Sequence, residues 1–107
     1  MTYREQDHPQ PSNLQDRDAH EVQRRLAALG AHMRGRRLDT DLNDGSLSVA
    51  VPGKPEVDTI TCRPRPSDGD RYWYWNGKKQ PIAQAEPEHI PEAGARIAAD
   101  LHAQQQS

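Results

Sequence analysis

Apolar residues recur along this chain with two periods, and the change from one to the other marks its organisation. Val22, Leu26, Leu29 and Met33 follow at steps of four, three and four, which draws one narrow stripe along an α-helix. Asp18 and Glu21 have the spacing of a capping box and complement the positive end of a helix dipole, so the helix is expected to begin near Asp18. Gly35, directly after Arg34, suits a left-handed stop. Gly30 beside the stripe either costs about 1 kcal/mol relative to alanine or permits a close backbone approach.

From Arg37 the period falls to two. Leu38, Thr40 and Leu42 alternate with Arg37, Asp39 and Asp41, and Leu47, Val49 and Val51 alternate with Ser46, Ser48 and Ala50, the pattern of two half-buried strands. Asn43-Asp44-Gly45 between them predicts an antiparallel hairpin. Val57 to Arg63 is rich in β-branched residues and predicts a third strand, closed by Pro64-Arg65-Pro66-Ser67-Asp68-Gly69. Arg71 to Trp75 predicts a fourth, reaching Asn76-Gly77, a two-residue hairpin signal after which Lys78 to Ile82 can return as a weak edge strand. Pro87 and Pro91 then suit the first turn of a helix whose apolar arc is Ile90, Ala93, Gly94, Ile97 and Leu101, with Ala93, Gly94 and Ala98 small enough to let it lie close to a sheet. The expected fold is α+β: an N-terminal helix, a four- or five-stranded antiparallel meander and a C-terminal helix, both helices on one sheet face. Strict alternation argues for one-sided cover, since Asp39, Asp41, Ser46 and Ser48 would not stand opposite the apolar set in a sheet covered on both faces.

Composition narrows this without changing it. With 107 residues, 33% of them hydrophobic, the chain has room for one small core. Residues 1 to 16 carry Pro9, Pro11 and a single aliphatic residue, Leu14, and are expected to form a disordered tail. Residues 17 to 104 then make up the domain, with 105 to 107 fraying. One cysteine, Cys62, excludes an internal disulfide framework, and no segment has the length and apolarity of a leader or a membrane span, so the expectation is a cytoplasmic protein. Eleven arginines against three lysines, with many alanines, fit a high-GC bacterial source.

No catalytic, cofactor or metal signature stands out: there is no Gly-rich phosphate loop, no metalloprotease helix and no serine or cysteine set beside a histidine and an acid. His8, His20, His32, His89 and His102 form no i, i+4 pair. Asp58, Asp68 and Asp70 sit near turns, where loop chemistry accounts for them. Cys62 shares strand parity with Ile60 and reads as a core residue.

Two clusters remain. Tyr72, Trp73, Tyr74 and Trp75 hold four of the five aromatic residues, and in a strand one alternate pair must lie away from the core. Those rings either form a partner or ligand surface, or pack across strands on a solvated face, or are covered by the loop around Pro66 and by arginine stems. Arg24, Arg25, Arg34, Arg36 and Arg37 occupy fourteen residues without an acid and are candidate anion contacts. At about 100° per residue, however, Arg24, Arg25 and Arg34 fall near 200°, 300° and 120° from Val22 and make no stripe; Asp39, Asp41 and Asp44 follow directly and the net charge is -2, so nucleic acid is not the expected partner.

Arg71-Tyr72-Trp73-Tyr74-Trp75-Asn76-Gly77, followed by Pro81-Ile82 and an alanine-rich terminal helix, resembles short, uncharacterised α+β proteins of high-GC Gram-positive bacteria. The resemblance spans roughly residues 19 to 103. It implies the fold and cytoplasmic placement, and it brings no activity or functional residue with it. The functional expectation is therefore a non-catalytic protein-interaction or regulatory accessory module that meets a partner or a second copy through the aromatic strand. The alternative is a small-ligand-binding protein or enzyme with an aromatic pocket.

Overall fold

A computed structural model describes the backbone of residues 10–106 and the side chains of residues 18–104. Helix α1 (Gln10–Gly35) leads into strands β1 (Asp39–Asn43), β2 (Ser46–Ala50), β3 (Val57–Arg65), β4 (Arg71–Trp75) and β5 (Pro81–Gln84), and helix α2 (Ile90–Gln106) closes the chain. The sheet is an antiparallel meander in the order β1-β2-β3-β4-β5. Helix α1 lies on β1, β2 and β3, helix α2 on β5 and β3, and the helices touch each other. The α+β fold expected from the alternation, with both helices on one face, is the fold observed.

Helix α1 begins at Gln10, eight residues before Asp18. Pro11 falls in its first turn, where it lacks only an N–H that has no partner, and no glycine or β-branched residue separates it from Asp18. The tail expected over residues 1 to 16 is therefore helical from residue 10, and residues 1–9 lie outside the described residues. Asp18 and Glu21 do not cap the helix. The Asp18 carboxylate accepts a hydrogen bond from the Tyr72 hydroxyl at 3.3 Å, and Glu21 pairs with Arg24 at 2.5 Å and with Arg25 at 2.6 Å. At the other end the left-handed residue is Arg37, with φ 65°, and not Gly35. The Arg37 N–H bonds the Arg34 carbonyl at 2.9 Å and the Leu38 N–H bonds the Met33 carbonyl at 3.1 Å, so two carbonyls left over by the helix are satisfied in a Schellman stop. Helix α2 continues through Gln104 and ends at Gln106; Ser107 lies outside the described residues.

The core joins Leu26, Leu29 and Met33 of α1, Leu47 and Val49 of β2, Ile60 and Cys62 of β3, Tyr74 of β4, and Ala93, Ile97 and Leu101 of α2, all of them buried. Two glycines set the spacing of its layers. A Cβ on Gly30 would come within 3.2 Å of Leu47 Cδ1, so α1 approaches β2 closely at that point. Gly94 faces α1 and not the sheet: its Cβ would lie 2.5 Å from His32 Cδ2 and 3.2 Å from Met33 Sδ.

Strand β3 runs through Pro64, which pairs with Tyr72. Beyond Ile60, β2 no longer accompanies it, so β3 has a neighbour on one side only and tolerates a residue without an N–H. The β4–β5 connection is also longer than a two-residue Asn-Gly turn. Asn76 and Gln80 pair across it, Lys79 takes the positive φ of 63°, and the Asn76 side-chain oxygen accepts the N–H groups of Lys78 and Gln80, each at 2.9 Å. A side chain that satisfies the turn from within permits three residues where two were expected. In β5 the register skips Ile82 between Ala83, opposite Tyr74, and Pro81, opposite Trp75. This bulge explains how consecutive Ile82 and Ala83 are both buried.

Candidate functional site

The parity of β4 is decided by the tyrosines. Tyr74 is fully buried and its hydroxyl donates to the Arg25 carbonyl at 2.7 Å, while Tyr72 packs on the rim of the core. Burial pushes the Tyr74 phenol well above its ordinary range. Two of the four candidate aromatics therefore belong to the interior, and Trp73 and Trp75 stand half-buried on the opposite face.

The helices bury the inner face; on the outer one the 3-10 helix Pro66–Asp68 reaches Trp73 through Asp68. Register places Trp73 between Arg63 and Gln84, Trp75 beside Thr61, and Arg65 opposite Arg71. Each indole is held in place from below. Trp73 Nε1 donates to Asp68 Oδ2 at 2.8 Å, and the same oxygen accepts Gln84 Nε2 at 2.9 Å. These two hydrogen bonds, the tryptophan's first, hold the Asp68 carboxyl below its usual range. Trp75 Nε1 donates to the Arg63 carbonyl at 3.1 Å. The guanidinium of Arg65 lies 4.3 Å from the Trp73 ring centre, and that of Arg63 5.4 Å from the Trp75 ring centre. Asp39 and Asp41 stand on β1, Arg63, Arg65 and Arg71 on β3 and β4, and the Asp68 carboxylate lies among the arginines beside Trp73. Beside Trp75 a groove of about 260 Å³ runs between Arg63 and Lys79, with Thr59, Thr61, Asn76 and Gly77 as its floor.

The arginines of α1 do not assemble into one patch. Arg25 is inward and structural: it pairs with Glu21 and Glu86, donates to the Ala85 carbonyl and lies 5.0 Å from the Tyr72 ring centre. Arg24 is paired with Glu21. Arg34 donates to Thr40 Oγ1 at 3.3 Å, Arg36 to His32 Nε2 at 3.3 Å, and Arg37 forms the helix stop. The arginines that do converge are Arg63, Arg65 and Arg71. A strand ended at Pro64 hides Arg65, whereas the alternation Val57, Thr59, Thr61, Arg63, Arg65 carries it onto the tryptophan face.

Other candidates resolve into structural roles. Cys62 is buried, and that burial pushes its thiol up to about 12, far from a nucleophile's range. Asp58 is buried at the start of β3, where its Oδ1 accepts the Gly77 N–H at 2.9 Å and holds the β4–β5 turn. Asp58, Asp68 and Asp70 thus occupy different surroundings and form no working pair of carboxylates. His20, His32, His89 and His102 join no group of three metal-ligand side chains among the described residues. A hollow of about 770 Å³ between β3, the β4–β5 turn and the end of α2 is walled by Asp58, Asn76, Lys78 and Asp100 and contains no aromatic residue. No helix among the described residues is long and apolar enough to cross a membrane. No protein-family profile matches the chain, and no curated protein or solved structure matches it significantly.

Proposed function

We propose that this protein is a non-catalytic interaction module, a regulatory or accessory cytoplasmic protein that engages a partner through the outer face of its sheet. The observation that carries the reading is the pair Trp73 and Trp75, pinned by hydrogen bonds and partly exposed on the sheet face away from the core, beside three arginines. A large ring held in one orientation before binding loses little freedom on contact, which is why tryptophan and arginine dominate interface energetics.

The test compares the wild type with a Trp73→Ser/Trp75→Ser variant, both verified as folded by circular dichroism. Sedimentation velocity reads self-association, and immobilised protein reads retention of partners from a cell extract. The variant is expected to lose what the wild type retains or assembles; equal behaviour in both assays refutes the reading. A small-ligand reading rests on a second observation, a hollow of about 370 Å³ where Trp73 meets Gln84, His89 and Arg96. It predicts a thermal shift and tryptophan quenching with an anionic planar metabolite.

A further inference from the structure

The geometry points to single-stranded nucleic acid as the partner of the tryptophan face, an inference that rests on the reading above and narrows it to one chemical class. Three features of the face select this class. First, its only large apolar groups are Trp73, Trp75 and the exposed Val57; the remaining outward positions of β2 and β3 are Ser46, Ser48, Ala50, Thr59 and Thr61 beside the arginines. Protein interfaces also enrich tryptophan and arginine, but around an apolar centre, whereas here the two rings are set among polar and cationic positions. Protein surfaces that bind nucleic acid are polar and cationic with interspersed aromatic rings.

Second, the cations frame the rings. Arg65 and Arg71 pair with each other across β3 and β4 at one end of the tryptophan row, Arg63 stands opposite Trp73, and Lys79 closes the groove beside Trp75 at the other end. A backbone following β4 from Arg71 to Lys79 meets positive charge at both ends and along one side, in excess over the Asp68 carboxylate that sits beside Trp73 near Arg65 and Arg71. Asp39 and Asp41 lie two strands away on β1 and repel phosphate from that half of the face, which confines the path to the tryptophan side.

Third, the indole N–H groups are already occupied by Asp68 and by the Arg63 carbonyl. A base can stack only on the part of each ring that Arg65 or Arg63 does not cover, it is offered no indole hydrogen-bond donor, and such stacking accepts every base alike. Positions i and i+2 of a strand are about 6.8 Å apart, so the two rings can receive successive unstacked bases. Paired bases in a duplex present no such faces.

The measurement uses the full chain and a fluorescein-labelled oligothymidine of about 12 nucleotides, with a duplex of equal length for comparison. Expected are saturable anisotropy and quenching of tryptophan fluorescence by the single strand. Binding should fall with salt at a slope of about −2 in log K against log salt, as three arginine contacts require. Arg71→Gln, an exposed change that leaves the ring supports intact, should reduce that slope by about 0.7. Trp75→Leu should weaken binding about fivefold or more at unchanged slope. Arg36→Gln/Arg37→Gln should change neither.

Absence of single-strand binding at about 50 mM salt and 0.1 mM protein overturns the inference, as does equal affinity for the duplex without quenching. If the oligonucleotide fails while Trp73→Ser/Trp75→Ser still abolishes self-association or retention of a protein, the partner is protein and the interaction reading survives without this refinement. If that variant also behaves as wild type, both fall.

Discussion

The contact between the two helices makes a prediction whose sign depends on one side chain. Gly94 lies inside α2, where alanine is intrinsically better by about 1 kcal/mol. A methyl there would stand 2.5 Å from His32 Cδ2 and 2.8 Å from His32 Nε2, inside any tolerable contact distance. The histidine must swing out, breaking its hydrogen bond from Arg36, or the helices must part and loosen the packing of Met33, Ile97 and Leu101, all of them fully buried. Overpacking of this kind costs about 1–3 kcal/mol. Net destabilisation by Gly94→Ala is therefore about 1 kcal/mol, with a fall in Tm of roughly 4 °C for a domain of this size. In a His32→Ala background the obstacle is gone and only Met33 Sδ at 3.2 Å is close, so the same substitution should stabilise by up to about 1 kcal/mol. Urea denaturation of the four proteins gives the coupling directly. Equal effects of Gly94→Ala in both backgrounds would show that the helices do not meet at this point.

Two further outcomes follow from the same structure. Arg37 holds a left-handed conformation that costs a side chain about 1–2 kcal/mol, so Arg37→Gly should raise stability by about 1 kcal/mol, seen as a higher urea midpoint at unchanged m. The Asp68 carboxyl is lowered in the folded state, so its contribution is present above the ordinary carboxylate range and is lost as pH falls through the lowered value. Tryptophan emission should accordingly change below about pH 4, and Asp68→Asn should remove that transition; a transition unaltered in the variant assigns it elsewhere.

Much of the fold is legible because burial here is periodic. Leu26, Leu29 and Met33 sit inward as their spacing requires, and Leu47, Val49, Ile60 and Cys62 obey strand parity. Where the reading departs from the structure, long-range contacts decide. Capping-box spacing at Asp18 and Glu21 is occupied by Tyr72 and by two arginines, none of which a local pattern reveals. Pro64 ends a strand only if neighbours flank both sides, and the early termination of β2 removes one of them. The aromatic run was ambiguous by one residue, and the Tyr74 hydroxyl resolves it, because Arg25 of α1 offers that phenol a carbonyl within the core. Within the candidate site the tryptophans are evident in sequence. Their arginine neighbours come from register, which local composition does not encode.

The meander order, in which every strand pairs with its neighbour in the chain, has a consequence for how the molecule is assembled. Each hairpin closes over a short loop and pays little entropy to do so, so the sheet can zip from either side without waiting for distant segments, as suits rapid formation. The two helices are the exception, since they lie at opposite ends of the chain and meet through Gly94 and His32. That seal depends on α2, the helix that also covers β5, so any change that loosens α2 bares the inner face of that strand as well.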